Sequence, residues 1–399
     1  MILSQSYRYN FLKFRSLIFV LLIALANLTV NGQEKQGKIS VKGFVEGMAT
    51  MLNGAFFPQW GNLEEVKNRI DWEWNPSKKL TFKVGMRNNL TFGGIMSEYY
   101  PYLSDFQSRD DGFMDLTFTV AKNSGYHLYT NFDRALMNYT SGKYEVTLGR
   151  QRINWGINMV WTPNDLFNSF NYLDFDYVER PGSDAVRFQY YTGPASSFDV
   201  AAKLDHKRKL TAAALYRFNR WDWDFQLLSG VMAQDFVVGG GWSGQIKGAG
   251  FNGEGSYFRS YENFADSTGQ FVFTTALNYT LSNSLFLQAG ALFNSKGTTG
   301  PAGWGNMFIR ELDISAKNFT KARYSIFGHI SYPITPLLKG DCSVMYNPSD
   351  DSAVLAPSLE LSATQSLDLL LAAQFFGGGK GTEYGEYGTY WFLRLKYSF

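Results

Sequence analysis

The chain has 399 residues, with 37 Lys+Arg against 35 Asp+Glu, 17% aromatic residues, 39 glycines and one cysteine. That near-neutral balance carries no basic bias toward nucleic acid, and a lone Cys342 excludes an intrachain disulfide and a thiolate metal site. Beyond the N-terminal region nothing approaches the roughly 18 consecutive apolar residues of a spanning helix. The longest run, Leu367 to Phe376, is interrupted by Asp368 and Gln374, which excludes a helical membrane protein.

In chain order, Arg8, Lys13 and Arg15 precede an apolar stretch from Leu17 to Leu28 and a small-ended site, Val30-Asn31-Gly32. This is the layout of a secretory signal over residues 1–32, leaving 33–399 as a single domain with no candidate linker. The mature chain stays close to neutral, because the signal removes basic residues and no acid. No cysteine stands at the cut to carry a lipid anchor.

From there onward, alternation with a period of two recurs to the end. Phe82, Val84 and Met86 alternate with Lys83, Gly85 and Arg87; Val186, Phe188 and Tyr190 with Arg187 and Gln189. Trp223, Phe225 and Leu227 alternate with Asp224 and Gln226, and Tyr324, Ile326 and Ile330 with Ser325 and His329. Side chains along a strand point to opposite faces, so each segment presents one apolar and one polar face. Repeated this often, the pattern predicts an all-β antiparallel transmembrane β-barrel with a polar, water-filled interior and aromatic girdles.

Tight turns separate many segments: 75–78, 123–125, 218–221, 282–284, 333–336 and 364–366. Longer polar or Gly-rich stretches fill 92–111, 153–182, 259–269, 295–322 and 377–387. This alternation is expected of a barrel trimmed on one side and elaborated on the other. Counting segments gives about 19 strands, whereas termini on one side demand an even number. The expectation is therefore 16 or 18 strands, with one misread segment between residues 90 and 240. A helix within a loop is expected over 306–322, and a short helical turn over 165–171 capped by Asn164.

The stretch Gly149-Arg-Gln-Arg-Ile-Asn-Trp-Gly156 stands apart. Tyr144, Val146 and Leu148 hold one apolar parity before it, and Ile153, Trp155 and Ile157 the other after it. The register must slip at a bulge, or the strand must end. An arginine facing lipid at mid-bilayer costs about 2–4 kcal/mol, so Arg150 and Arg152 belong in the lumen or at an interface. An aromatic and acidic sequel follows. Two readings stay open for it: a constriction loop folded into the barrel, or a loop glued to the wall without selectivity. The candidate pore-lining set is Arg150, Arg152, Asp165, Asp174, Asp176, Glu179, Arg180 and Arg187, with the loop acids opposed to the arginines across a narrow pore.

Other motifs carry less. Gly239 to Gly244 matches G-x-G-x-x-G without the βαβ context of dinucleotide binding and reads as a strand or barrel corner. The acidic pairs Asp110-Asp111 and Asp350-Asp351 read as solvated turns rather than calcium sites. No cofactor, metal site or catalytic constellation is expected; a barrel enzyme would need an acid/base group around Asp105, Asp110 or His206.

In the last strand, Trp391, Leu393, Leu395, Tyr397 and Phe399 share one parity against Arg394 and Lys396. This resembles the terminal strand of bacterial outer-membrane barrels, and the resemblance implies that the assembly machinery reads Trp391 to Phe399. The Gly-Arg-Gln-x-x-x-Trp-Gly pattern resembles porin-like outer-membrane barrels, distantly the alginate-export type and most of all outer-membrane proteins of Bacteroidota. Together these imply an outer-membrane location, lipid as the surrounding partner and passive passage of a small solute. A closed export or surface-binding barrel is the alternative. The terminal strand should close the ring against residues 39–50, with Arg394 and Lys396 in the lumen.

Overall fold

The computed structural model describes residues 38–55, 57–170, 172–174, 182–265, 268–303 and 314–399. In chain order the first strands are β1 (Ile39–Gly54), β2 (Phe57–Ser77) and β3 (Leu80–Phe92), followed by two short helices, α1 (Gly94–Glu98) and α2 (Tyr102–Gln107). Then come β4 (Thr117–Asn123), β5 (Tyr126–Ser141), β6 (Tyr144–Gln151), β7 (Ser183–Gly193), β8 (Ser196–Leu204) and β9 (Leu210–Arg220). β10 (Trp223–Met232), β11 (Asp235–Ile246), β12 (Ala249–Ser260), β13 (Gln270–Thr280) and β14 (Phe286–Asn294) continue the series. The last five are β15 (Tyr324–Pro333), β16 (Leu338–Asn347), β17 (Ser352–Ser362), β18 (Leu367–Gly377) and β19 (Thr389–Ser398).

Every ring pairing is antiparallel, and β19 closes on β1 with Phe44 opposite Ser398 and Asn53 opposite Thr389. A closed sheet leaves no edge and satisfies its backbone internally, as a membrane-spanning sheet must. The odd strand is β4. One edge of β5 pairs with β3 along its length; its other edge pairs with β6 over residues 135–141 and with β4 over 126–131. β4 therefore stands above β6 in the same place in the ring, and the barrel has 18 strands. The surplus segment of the sequence count is real as a strand but adds no position, which resolves 16 or 18 to 18.

The six predicted tight turns all fall between paired strands, and five of them lie at the barrel end that holds Ile39 and Ser398. The long connections 93–125, 152–182, 261–269, 295–323 and 378–388 all join strand ends on the other side. The helix expected over 306–322 is not formed in its described part. Residues 314–322 form a turn bridged between Ser315 and Asn318, not a helix, and residues 306–313 lie outside the described part. Conversely, α1 and α2 sit in a stretch read as irregular. They bury Ile95, Met96 and Leu103 against Leu52, Tyr387 and Tyr390, and this tertiary cover makes short helices of a segment without helical periodicity.

Outward and inward rows follow the predicted parity. Trp391 and Leu393 are exposed at 42% and 50% while Arg394 is buried at 7%. Cys342 lies on the outward parity with Val344 and Tyr346. At the turn end Trp74 stacks on Phe82 (5.2 Å) and Tyr144 on Tyr190 (4.9 Å), as members of a girdle.

Candidate functional site in the lumen

Strand β6 ends at Gln151, so the register problem at Gly149 to Arg152 is solved by termination rather than by a bulge. From Arg152 the chain turns into the barrel. Ile153 and Trp155 are fully buried and form one apolar cluster with Trp161, Leu166 and Phe167. The wall behind them is apolar too: Ala185, Ala201, Ala213, Leu215, Leu228 and Val237 point inward. A lumen-facing row of this kind departs from the polar-inside rule because the loop, not water, covers it. Burying a large apolar side chain there contributes about 1.5–3 kcal/mol.

Polar contacts fix the loop's position. Glu254 of β12, fully buried, accepts the N–H groups of Ile157 (2.9 Å) and Asn158 (2.8 Å) on Oε1 and of Asn164 (3.2 Å) on Oε2. Asn164 donates to the Gly240 carbonyl (3.0 Å) and accepts from Ser256 (2.8 Å). Trp155 Nε1 donates to Asp199 (2.9 Å), Gln226 donates to the Trp155 carbonyl (2.8 Å), and Gln374 to the Leu173 carbonyl (2.8 Å). The glycines of β11 make room: a Cβ on Gly241 would lie 2.7 Å from Ile157 Cδ1. This closeness, and no phosphate, accounts for the Gly239–Gly244 pattern. The expected capping turn is absent, since Asn164 holds the wall while Asp165 caps Asn168 N–H (3.2 Å).

Between this loop and the wall of β1–β3, β5, β18 and β19 lies a chamber of about 800 Å³. Its wall carries Lys67, Arg87, Asn131 and Asp133, and the loop contributes Phe170 and Asp174. Asp133 enters through a register shift of β5 against Gly85/Met86. It meets Arg69, which also grips Asp71 with two hydrogen bonds of 2.7 Å, and Arg87 Nη2 lies 3.6 Å away. Gly85 is needed there, because a Cβ would fall 2.8 Å from both Arg69 Nη2 and Asp71 Oδ1. Each buried charge in this group has an opposite partner, as burial requires.

The predicted site residues divide. Arg150 lines the chamber, but it is held by Asp184 (2.7 and 2.8 Å), Asp110 (2.6 Å) and the carbonyls of Phe132 and Met114. It thereby ties the 93–125 connection to the wall. Arg187 is held by Asp199 of the neighbouring strand. The expectation that loop acids pair with these arginines is thus corrected: their partners come from β7, β8 and the 93–125 connection. Asp165 is buried beneath the loop, Asp174 is exposed to the chamber, and Arg152 is half-buried beside β6. Asp176, Glu179 and Arg180 lie outside the described residues.

Sequence reasoning missed Glu254, Asp199, Arg69 and Asp133. Glu254 is on the polar parity between Gly253 and Gly255, a visible signal of crowding, but its partners are backbone groups that no motif encodes. Asp110, read as a solvated turn, has a buried side chain. Burial works to raise its carboxyl, yet hydrogen bonds from Arg150 and from the N–H groups of Leu116 and Gly112 outweigh this and hold it below the usual range. His206 lies 3.5 Å from exposed Asp111, and His127 meets Thr119 and Gln107.

No protein-family model and no curated protein matches the chain. Solved structures do. The outer membrane protein OpdK of Pseudomonas aeruginosa superposes with a TM-score of 0.57 at 11% identity, over 90% of this chain and 98% of its own. The outer membrane protein OprD of the same organism gives 0.56 at 9%, over 92% and 95%. Acinetobacter baumannii OccAB3 gives 0.56 at 10%, over 90% and 99%. At such identity the likeness is one of fold, and this chain folds as a porin-like outer-membrane barrel.

Proposed function

We propose that the protein is a passive outer-membrane channel for small polar solutes, with residues 149–182 as its constriction. The observation that carries this is the inward loop. It is clamped by Glu254 to one wall and leaves a charged chamber of about 800 Å³ along the other. Fixed opposite charges around such a passage orient polar solutes and filter ions. Within this reading the pore lining is Arg150 and Asp174, joined by Lys67, Arg87 and Asp133; Arg152, Asp165, Asp176, Glu179, Arg180 and Arg187 complete the candidate set.

The long connections face outward and the short turns the periplasm, following the usual asymmetry of such barrels. Residues 1–32 direct export, lipid surrounds the outward rows, and the assembly machinery reads Trp391 to Phe399. Kinship with Bacteroidota outer-membrane proteins and with alginate-export-type barrels belongs to the same reading, supported by the Gly149 to Gly156 pattern. Purified protein in planar bilayers should give discrete conductance steps. Silence across simple salts and sugars, with the barrel demonstrably folded, would refute the channel.

A further inference from the structure

One outward row breaks the apolar pattern with amides, flanked on both sides by apolar rows. Across β2, β3 and β5, Val66 stands opposite Leu90 and Leu128, and Ile70 opposite Met86 and Phe132. Between them Asn68 stands opposite Asn88, and Asn88 opposite Thr130. Thr130 Oγ1 donates to Asn88 Oδ1 (2.6 Å), Asn88 Nδ2 to Asn68 Oδ1 (3.3 Å) and Asn68 Nδ2 to the Phe44 carbonyl (3.3 Å). Each amide keeps a second N–H with no partner among the described residues, and both side chains are half-exposed. The flanking rows place them inside the hydrocarbon band, where an unsatisfied donor is costly.

On the adjoining strand Val45 stands opposite Asn68, and the next two outward residues are small. Gly47 lies beside Val66, and a Cβ there would meet nothing within 4 Å; Ala49, next on that row, is exposed. Small residues let two backbones approach inside a membrane, and amides supply hydrogen bonds across such a contact. We propose that the outer face of β1, β2, β3 and β5 docks a second copy of this chain. An asparagine is both donor and acceptor, so a row of them is its own complement across a two-fold axis. An acyl chain offers neither group. This surface is separate from the lumen, and its test does not depend on conduction.

The test uses the full chain assembled in a Gram-negative outer membrane, with Cys342→Ala as background. Ala49→Cys and Val66→Cys are oxidised in place with copper phenanthroline, and Val200→Cys, exposed on β8 at 47%, serves as the control. A disulfide-linked dimer from either interface variant, absent from the control and lost when Asn68→Leu and Asn88→Leu are added, supports the proposal. Heat-modifiability on gels verifies that each variant is a folded barrel, and sedimentation of the unmodified chain in mild detergent gives its mass. Cross-linking no greater than in Val200→Cys, together with a monomeric mass, overturns the proposal and leaves lipid as the occupant of the face.

Discussion

Removing the Glu254 carboxylate should release the constriction loop while leaving the barrel intact. Glu254→Ala withdraws one acceptor group from three N–H donors, those of Ile157, Asn158 and buried Asn164. A hydrogen bond of this kind contributes about 0.5–1.5 kcal/mol, and an orphaned buried donor costs about 1–3 kcal/mol. Water in the lumen recovers much of this, so we expect a net loss of about 3 kcal/mol, or about a hundredfold in the balance between docked and released loop. The apolar cluster around Trp155 and the contacts of Asn164 to the wall still favour docking, which keeps the effect local. Hydrogen exchange of the reconstituted protein should show those three amides losing protection by about that factor while strand amides keep theirs. Single-channel traces should become larger and noisier. Glu254→Gln should fall between, its carbonyl serving Ile157 and Asn158 while its NH₂ opposes the Asn164 N–H. Unchanged exchange in the alanine variant would refute the clamp.

Arg150→Ala strips the partner from buried Asp110 and Asp184; breaking such a pair costs about 3–5 kcal/mol. It should expose the 93–125 connection to proteolysis and shift reversal potentials toward cation selectivity, whereas unshifted potentials remove Arg150 from the pore lining. Because Asp110 is held below its ordinary value of 3.8 in the folded protein, its contribution is fully present above that value and is lost as pH falls through the lower folded one. Nicking of that connection should therefore match at pH 7 and pH 5 and rise only as pH falls below 3.8, and a rise already at pH 5 would contradict it. Gly241→Ala should push against Ile157 and the Gly253 carbonyl and alter the conductance of the barrels that assemble; an unaltered trace would place the loop elsewhere. Deleting Phe399 should reduce the heat-modifiable species in outer membranes, and normal assembly would count against Trp391 to Phe399 as the signal.

Strand parity was legible because it depends only on period. Lipid outside and water or packed chain inside impose the same alternation on every strand, so Trp391, Leu393, Arg394 and the 39–50 partner could be assigned without contacts. Even the anomaly at Gly149 to Arg152 was visible, since a parity flip cannot be hidden within one strand. What followed it was not. Whether the chain bulges or leaves the wall depends on what waits inside the barrel, and that is Glu254, about a hundred residues on.

The sequence by itself determined a closed antiparallel barrel with short turns at one end, long connections at the other, and an anomalous segment after Arg150. Only the tertiary structure decided the strand number, the inward path of 152–170 and the partners of each buried charge. Alternation is a local property of a strand against its two solvents. β4 shares a ring position with β6, Asp133 enters at a bulge, and Arg150 answers acids from distant segments through long-range register and packing. No local period encodes those.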